Sequence, residues 1–354
     1  MSRFWSAAQA CLLFLEPEMA HEASLRALEA GIYPRQIKPD DPRLAQTLFG
    51  LRFSNPIGMA AGYDKDARVY NALFAMGFGF AEAGTVTPEP QSGNPRPRMY
   101  RLTRERGVIN RLGFNNEGHA AVLLRLASRP QKGILGVNIG ANRETPDPIT
   151  DYVAGVHAFG ALASYLAINI SSPNTPGLRN LQAPDRLDAL LEALMAARAS
   201  LSRPVPILVK LSPDLNDEEI APIAACLMAH GVDGAILTNT TLSREGVPPA
   251  AHRGEGGGLS GRPLFARSTR LLAKFYLATE GKLPLIGLGG IDTPQAAIAK
   301  VRAGASLVQL YTGLVYEGPS LLDGIKAAIL AESARTTGSL TDLVGTEAAR
   351  WAAS

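Results

Sequence analysis

Cysteine is scarce in this sequence: only Cys11 and Cys226 occur among 354 residues, and they form no CxxC pair. We therefore expect neither a disulfide framework nor a thiolate-bound zinc or iron–sulfur site, and a reducing compartment is favoured. The five histidines show no HxxxH or HExxH spacing. We accordingly predict that the protein holds no metal ion.

Long hydrophobic runs are also missing. The strongest run near the start of the chain, residues 10–15, is far shorter than the roughly 20 residues that a membrane-spanning helix needs. No convincing small-residue cleavage site follows it, so we predict no secretory signal. Lysine and arginine together exceed the acidic residues only slightly, 35 against 32, which argues against nucleic acid as a partner.

What the chain does have is material for one large core, with 46% hydrophobic and 19% charged residues. Eight short apolar segments recur, at 56–62, 78–86, 134–140, 165–171, 206–212, 234–240, 284–290 and 307–313. Helical patterns alternate with them, at 66–76, 115–128, 147–162, 185–200, 217–231, 263–279, 293–303 and 319–333. Segments that are apolar on both faces are typical of buried parallel strands. The pattern predicts an α/β fold of the (β/α)8 TIM-barrel type. A doubly wound sheet is the alternative, but it would not favour the number eight.

The two ends of the chain lie outside this pattern. The pattern of residues 1–31 predicts two short helices, of which the first ends before Pro17 and the second ends at Gly31. This small extension could simply pack on the barrel, or it could lie in a membrane interface as an amphipathic foot. We therefore divide the chain into a helical extension at 1–31, a catalytic barrel at 45–335 and a C-terminal helical tail at 336–354.

An insertion between the second strand and its helix is rich in arginine. Residues 95–110 are typical of a hairpin with Gly107 near its turn. The basic residues in or beside it are Arg96, Arg98, Arg101, Arg104, Arg106 and Arg111. Such a hairpin is either a solvated surface feature or a contact for an anion or a lipid headgroup near the barrel mouth.

Candidate chemistry collects where the predicted strands end, which is where the active sites of such barrels lie. Gly289-Gly290 and Thr312-Gly313 follow the seventh and eighth strands, where backbone N–H groups commonly bind phosphate. Lys65 and Lys210 suit a substrate carboxylate or a reduced, anionic flavin.

Amide side chains are also frequent at these ends. A cluster of amides suits a planar heterocycle with alternating carbonyl and N–H edges. The residues concerned are Asn110, Asn138, Asn169, Asn174 and Asn239. No His, Cys, Asp or Glu occupies an obvious position for a general base. Ser172 is therefore the leading candidate for that role, although free serine is a very weak base.

At these residues the sequence closely resembles the quinone-dependent, membrane-associated class (class 2) of dihydroorotate dehydrogenases. The matching stretches are 60–65 (AAGYDK), 93–98 (GNPRPR), 110–116 (NRLGFNN), 169–179 (NISSPNTPGLR), 257–264 (GGLSGRPL) and 287–291 (GLGGI). The resemblance covers nearly the whole chain. It implies that FMN is the cofactor and that (S)-dihydroorotate is oxidised to orotate in the de novo synthesis of UMP.

The resemblance also implies roles for particular residues. Ser172 would be the catalytic base, with Thr175 as a relay partner through water. Contacts to FMN would come from Ala61, Gly62, Thr85, Asn138, Asn169, Lys210, Thr238, Gly261, Gly290, Tyr311 and Thr312. Contacts to dihydroorotate would come from Lys65, Asn110, Arg111, Leu112, Gly113, Phe114, Asn169, Asn174, Asn239 and Thr240. Polar contacts to the quinone would come from His21, Arg101 and Tyr311.

Serine at the base position and the N-terminal helices imply a membrane quinone as the second substrate, with no iron–sulfur partner subunit. The absence of a transit or membrane-spanning segment favours a peripheral protein on the cytoplasmic face of the bacterial inner membrane. A hydroxyacid-oxidase-like FMN barrel is an alternative, but it would need a histidine base, and no strand end carries one. The other alternative is a flavin- or phosphate-binding membrane protein without catalysis.

Overall fold

The computed structural model describes residues 3–249, 252–335 and 339–354. The first two residues of the predicted extension and the first three of the predicted tail, 336–338, lie outside the described residues.

Strands β3, β4, β7, β8, β9, β10, β12 and β13 form a closed parallel barrel, in the spatial order β10-β12-β13-β3-β4-β7-β8-β9. The barrel therefore confirms the predicted α/β architecture. The strands in chain order are β1 (Gln46–Leu48), β2 (Leu51–Phe53), β3 (Ile57–Asp64), β4 (Phe80–Val86), β5 (Met99–Leu102), β6 (Gly107–Asn110), β7 (Ile134–Ile139), β8 (Tyr165–Asn169), β9 (Ile207–Leu211), β10 (Gly234–Leu237), β11 (Gly258–Gly261), β12 (Leu285–Leu288) and β13 (Leu307–Leu310).

The helices alternate with the barrel strands and surround them. They are α1 (Arg3–Phe14), α2 (Pro17–Glu29), α3 (Tyr70–Met76), α4 (Gly118–Ser128), α5 (Pro148–Phe159), α6 (Pro184–Ala199), α7 (Asp217–Ala229), α8 (Phe265–Ala278), α9 (Pro294–Arg302), α10 (Thr312–Glu317), α11 (Ser320–Arg335) and α12 (Ala348–Ala352). The eighth predicted strand is shorter than expected and ends at Leu310, because a short helix begins at Thr312.

Local sequence explains several helix boundaries. Helix α7 begins with a capping box, in which Asn216 and Glu219 exchange side-chain and backbone hydrogen bonds. The Thr293 side chain caps α9, and Pro294 occupies its first turn, where a missing N–H costs nothing. Pro17 likewise starts α2, so the predicted break between the two N-terminal helices is confirmed.

Two apolar layers hold the barrel together. Every residue of β4 and of β8 is buried, as expected for strands covered on both faces. The larger core lies between the strands and the surrounding helices. A smaller cluster that includes Phe53, Phe80 and Tyr165 packs with residues of β1 and β2. That hairpin was not anticipated from the sequence, because its strands are only three residues long.

The arginine-rich insertion forms the predicted hairpin, but Gly107 begins its second strand rather than its turn. A third strand, β11, pairs antiparallel with β6 and extends the hairpin to a three-stranded sheet. This distant pairing joins residues 148 to 154 positions apart in the chain, which a local pattern does not reveal. Among the described residues, no helix is long and apolar enough to cross a membrane.

Candidate active site

One cavity of about 470 Å³ connects the carboxyl ends of the barrel strands with the space beneath α1 and α2. All predicted site residues line it except Asn138, Arg111 and the predicted relay residue Thr175. Residues from the barrel strands, the arginine-rich sheet and the N-terminal helices thus meet around one space.

The inner end of the cavity is a chain of hydrogen-bonded amides and hydroxyls. The Thr85 hydroxyl receives a bond from Asn169 Nδ2 at 2.8 Å and donates to Asn138 Oδ1 at 2.6 Å. Asn239 Nδ2 donates to Asn169 Oδ1 at 3.2 Å and to the Ser171 hydroxyl at 3.0 Å. These bonds fix the orientation of each amide, so the surface offers defined donors and acceptors to a planar ring.

Asn138 lies behind this surface rather than on it. Its side chain is fully buried, and its Nδ2 donates to Glu82 Oε2 at 3.2 Å. Glu82 is also fully buried and accepts a bond from the Tyr165 hydroxyl at 3.0 Å and from Gln309 at 2.5 Å. Glu82 was not expected at this site, since in the sequence it lies inside an apolar strand.

Ser172 is buried directly after β8, at the edge of the cavity. Its Oγ accepts a hydrogen bond from the backbone N–H of Asn174 at 3.2 Å. This donor favours negative charge on the oxygen, because it stabilises an alkoxide more than a hydroxyl. Among the described residues, Ser172 has no carboxylate or imidazole partner. Thr175 is buried nearby in sequence but forms no hydrogen bond to Ser172.

The two lysines differ in their surroundings. Lys65 lies in the cavity and donates to Asn115 Oδ1. Burial, together with the Arg98 charge, lowers the pKa of Lys65 to about 8. The ammonium is thus held in a place where an anionic ligand would be favoured. Asn115 was not among the predicted contacts, although it belongs to the NRLGFNN motif.

Lys210 is buried in β9 and makes no hydrogen bond to another residue in the described part of the chain. Burial lowers its pKa, and the charge of Glu82 partly opposes this effect. A buried ammonium that is not hydrogen-bonded is costly. Lys210 is therefore ready to donate to a polar group placed in the cavity.

The loop that follows β6 forms one wall of the inner end. Asn110, Leu112, Gly113 and Phe114 face the cavity, and Asn174 Nδ2 donates to Asn110 Oδ1 at 3.3 Å. Arg111 points elsewhere: its guanidinium binds Glu255 at 2.7 Å and the Pro97 carbonyl at 3.0 Å.

The outer end of the cavity is mostly apolar and lies under the N-terminal helices. Leu12, Leu13, Ala20, Ala23 and Ala27 line it.

Three aromatic rings stand where the two ends meet. His21 Nδ1 lies 3.1 Å from the Tyr311 hydroxyl, and Tyr63 contacts both rings edge-on. Burial, with a smaller effect of Lys65, lowers the pKa of His21 to about 4. The imidazole is thus neutral at pH 7.

Arg101 has a structural task in addition to facing the cavity. Its guanidinium donates to the carbonyls of Leu13 at 3.1 Å and Leu15 at 2.5 Å. These carbonyls belong to the end of α1, where a cation offsets the negative end of the helix dipole.

The other arginines of the hairpin are largely engaged within the protein. Arg96 and Arg98 both pair with Glu18 of α2, and Arg106 pairs with Glu317. Burial alone would raise the pKa of Glu18, but the two arginines outweigh it and lower the value to about 2. Arg104 is exposed and forms no ion pair within the described residues. The hairpin thus serves mainly to fasten the helices, which leaves little of its charge for an external anion.

The predicted absence of a metal site stays a prediction. Within the described residues, one group of three potential ligands exists, formed by Asp188, Cys226 and His230. It lies on α6, α7 and the residue after α7, and His230 Nε2 is 2.8 Å from Asp188 Oδ1. None of the three lines the cavity.

The geometry defines the class of this protein: a (β/α)8-barrel enzyme with one cavity that is polar at the barrel mouth and apolar beneath a helical cover. The family model for dihydroorotate dehydrogenase matches residues 43–332. The chain therefore belongs to the dihydroorotate dehydrogenase family.

The sequence is similar to curated relatives over nearly its full length. A dihydroorotate dehydrogenase (quinone) of Agrobacterium fabrum is 52% identical and the match covers 99% of this chain and 98% of the relative. A protein of the same name from Parvibaculum lavamentivorans is also 52% identical, with 96% and 97% covered. The solved structure of DHODH from Eimeria tenella in complex with ferulenol has a TM-score of 0.90 at 38% identity, with 94% and 96% covered.

The family implies a flavin cofactor, and the inner end of the cavity fits one. Lys210 lacks a hydrogen-bond partner among the described residues, and Gln309 Oε1 is buried without one as well. The turn at Gly289-Gly290 has positive φ at both residues, 102° and 77°. A β-carbon at Gly290 would lie 2.4 Å from Phe265 Cβ, so only glycine permits this turn to pack against α8.

Proposed function

We propose that this protein oxidises dihydroorotate to orotate in pyrimidine synthesis and passes the electrons through FMN to a membrane quinone. The observation that carries the proposal is the single cavity that joins Ser172, two lysines and an amide cluster to an apolar channel. Dihydroorotate has a polar ring and a quinone is hydrophobic, so a cavity that binds both needs a polar part and an apolar part. The names of the curated relatives support the same reaction.

In this proposal the amide cluster and Lys65 hold the substrate. Asn110, Asn174 and Asn239 present side-chain amides to the ring edges, and Lys65 pairs with the carboxylate. A bound carboxylate would raise the pKa of Lys65 again, because the opposite charge favours the ammonium. Arg111, which points away from the cavity, would act by holding the loop rather than by contact.

Ser172 takes the proton from substrate C5. As Oγ takes this proton, the hydroxyl proton of Ser172 would leave to water and Thr175, and the Asn174 N–H stabilises the partial negative charge that Oγ carries during the exchange. A bound flavin would supply the acceptor for the hydride from C6. Lys210 would help to hold the flavin, and its positive charge would favour the reduced form of that cofactor. Ala61, Gly62, Thr85, Asn169, Thr238, Gly261, Gly290, Tyr311 and Thr312 would complete the FMN site, and Asn138 would support Thr85 from behind.

The quinone enters between α1 and α2 and meets His21 and Tyr311 at the end of the channel. A neutral imidazole and a phenol with raised pKa are suitable hydrogen-bond partners for a quinone carbonyl. Arg101 keeps the end of α1 in place over the entrance. Residues 1–31 would thus work as a separate helical unit next to the catalytic barrel.

The outer surface of this unit supports membrane attachment. Phe14 is 91% exposed and Met19 is 61% exposed, and Ile32, directly after the unit, is 57% exposed. Such side chains are favoured in a lipid interface. We place the protein at the cytoplasmic face of the bacterial cell membrane, with no iron–sulfur partner subunit. Sedimentation with lipid vesicles measures the binding of the protein to a membrane. The double variant Phe14→Ser, Met19→Ser should bind vesicles about tenfold or more weakly, because burial of apolar area contributes about 25 cal/mol per Å².

The reaction itself is tested by separating its two halves. Anaerobic mixing with dihydroorotate should bleach the flavin absorbance of the wild-type protein, and added quinone should restore it. Ser172→Ala should slow the bleaching by about 10²- to 10⁴-fold, the usual range for loss of a general base. Its bound FMN and its reoxidation by quinone should be unchanged.

Two results would contradict the proposal. A flavin that stays oxidised with dihydroorotate would indicate a binding protein rather than this enzyme. Bleaching of Ser172→Ala at the wild-type rate would remove Ser172 from the role of base.

A further inference from the structure

Lys300, on α9, is a buried charge that the proposed reaction does not use. Its side chain is fully buried, which is rare for lysine unless the charge is paired. Among the described residues, no carboxylate pairs with it. Its Nζ makes one hydrogen bond, to Ser268 Oγ at 2.6 Å, although an ammonium can donate three.

A second buried lysine, Lys326, has a hydrogen-bond partner for each of its donors and serves as a comparison. Lys326, on α11, donates to Asp40 Oδ1 at 2.7 Å, to Gln36 Oε1 at 2.7 Å and to the Gly77 carbonyl at 2.6 Å. All three of its donors are used, and a carboxylate balances its charge. Lys300 lacks both features.

The hydrogen bond from Lys300 to Ser268 leads to the glycine turn at the cavity. Ser268 Oγ, on α8, lies 3.1 Å from the Gly289 carbonyl and 3.1 Å from the Phe265 carbonyl, and either oxygen can accept its single proton. The Lys300 ammonium also lies 5.4 Å from the centre of the Phe265 ring, and Phe265 is the residue against which Gly290 packs. The lysine, the first turns of α8 and the glycine turn thus form one packed unit behind the cavity wall.

An uncompensated ammonium in this place costs folding free energy. Burial accordingly lowers the pKa of Lys300 well below its usual value. The cost is reduced if an anion binds on the other side of the glycine turn, because charges attract strongly across a medium of low dielectric constant. The terminal phosphate of FMN is such an anion.

We propose that Lys300 is a positioning residue for the phosphate of FMN: through Ser268 it holds the Gly289-Gly290 turn, and its charge favours the phosphate across that turn. This inference rests on the proposed function, in which Gly290 contacts FMN, and on the tendency of barrels to bind phosphate at the backbone N–H groups that follow the seventh strand. It predicts that Lys300 distinguishes FMN from riboflavin, which has the same ring system without the phosphate.

The test compares dissociation constants of the two flavins for the full-length protein, with free flavin measured by fluorescence after ultrafiltration. Lys300→Met should raise the dissociation constant of FMN about tenfold or more, in keeping with the loss of a charge interaction. It should change riboflavin binding less than about twofold, since the ring contacts remain. Ser268→Ala should also raise the dissociation constant of FMN, by a smaller factor.

Lys326→Met is the matched control, because it removes a buried lysine that does not face the cavity. It should leave the affinity ratio of FMN to riboflavin unchanged, even if it lowers the unfolding temperature. Lys300→Met should not lower that temperature in the flavin-free protein, since it replaces a buried charge with an apolar chain.

The outcomes separate this inference from the proposed function. If the wild-type protein binds FMN and riboflavin equally well, the phosphate site itself is wrong. If the wild-type protein prefers FMN but Lys300→Met keeps the same preference, or loses both flavins equally, the proposed role of Lys300 is wrong while the site stands.

Discussion

The two ends of the cavity are built in opposite ways. At the inner end Thr85, Asn169 and Asn239 are tied to one another by hydrogen bonds of 2.8 to 3.2 Å. At the outer end the wall is made of alanine and leucine side chains from α1 and α2. The inner end therefore offers direction and charge, whereas the outer end offers apolar surface. One cavity can in this way serve two substrates of unlike polarity.

The helices over the outer end also differ from each other. Helix α2 is held by ion pairs, from Arg68 to Glu22 and Glu29 and from Arg98 to Glu18. In contrast, α1 is held by the hydrogen bond of Gln9 to the Val315 carbonyl and by the cap that Arg101 forms. Helix α2 thus forms a wall of the channel that is held by ion pairs, whereas the contacts described for α1 are hydrogen bonds to backbone carbonyls.

The strongest way to separate the two ends is to remove one of them. Deletion of residues 1–31 should abolish quinone reduction, because the apolar channel loses its cover. Bleaching of the flavin by dihydroorotate should continue at a rate within about threefold of wild type, since binding contacts at distant, independent sites are close to additive. Stopped-flow measurement of each half-reaction checks this. Equal loss of both halves would mean that the ends are not independent.

The next test acts on the inner end alone. Lys65→Met should lower kcat/KM for dihydroorotate about a hundredfold, because loss of one partner of a buried charged hydrogen bond costs roughly 2–5 kcal/mol. Quinone reduction by the pre-reduced flavin should be unchanged. Lys132→Met, at an exposed position, is the control and should match wild type. A normal kcat/KM for the Lys65 variant would exclude it from carboxylate binding.

A narrower channel should affect only the outer end. Ala27 lines the cavity, so Ala27→Trp should raise KM for quinone by about tenfold through crowding that costs about 1–3 kcal/mol. Ala30→Trp, at an exposed position after α2, is the control for the larger side chain. If both variants behave alike in steady-state assays with quinone, the quinone does not pass beside Ala27.

The smallest expected effect concerns pH. The pKa of His21 is about 4 while α2 is docked on the barrel, compared with 6.5 for the free side chain. Between these two pH values, His21 therefore binds a proton when α2 leaves the barrel but not while α2 is docked. Docking of α2 is thus fully stable above about pH 6.5 and weakens as the pH falls towards 4, by about 1 kcal/mol at pH 5.5.

Limited proteolysis of the N-terminal helices at pH 5.5 and 7.5 measures this change. His21→Gln should remove the pH dependence between these values. Glu18 should not contribute, because its pKa of about 2 keeps it ionised throughout. An unchanged pH dependence in His21→Gln would show that another group is responsible.

Much of the architecture could be predicted from local patterns. Eight apolar segments and eight helical ones identified the barrel, and Pro17 marked the break between the N-terminal helices that the structure confirms. The strand ends also pointed to the residues around the cavity. Short or discontinuous elements were missed, such as β1, β2 and β11, because three or four residues carry no periodic signal.

The sequence by itself determined the order of strands and helices and the chemical character of the strand ends, since both depend on residues that are neighbours in the chain. Only the tertiary structure decided that Asn138 lies behind Thr85, that Arg111 points away, and that Arg101 caps α1. It also placed Lys300 behind the glycine turn, two hydrogen bonds from Gly289. The direction of a side chain depends on which distant elements pack against it, and closure of the barrel is what brings those elements together.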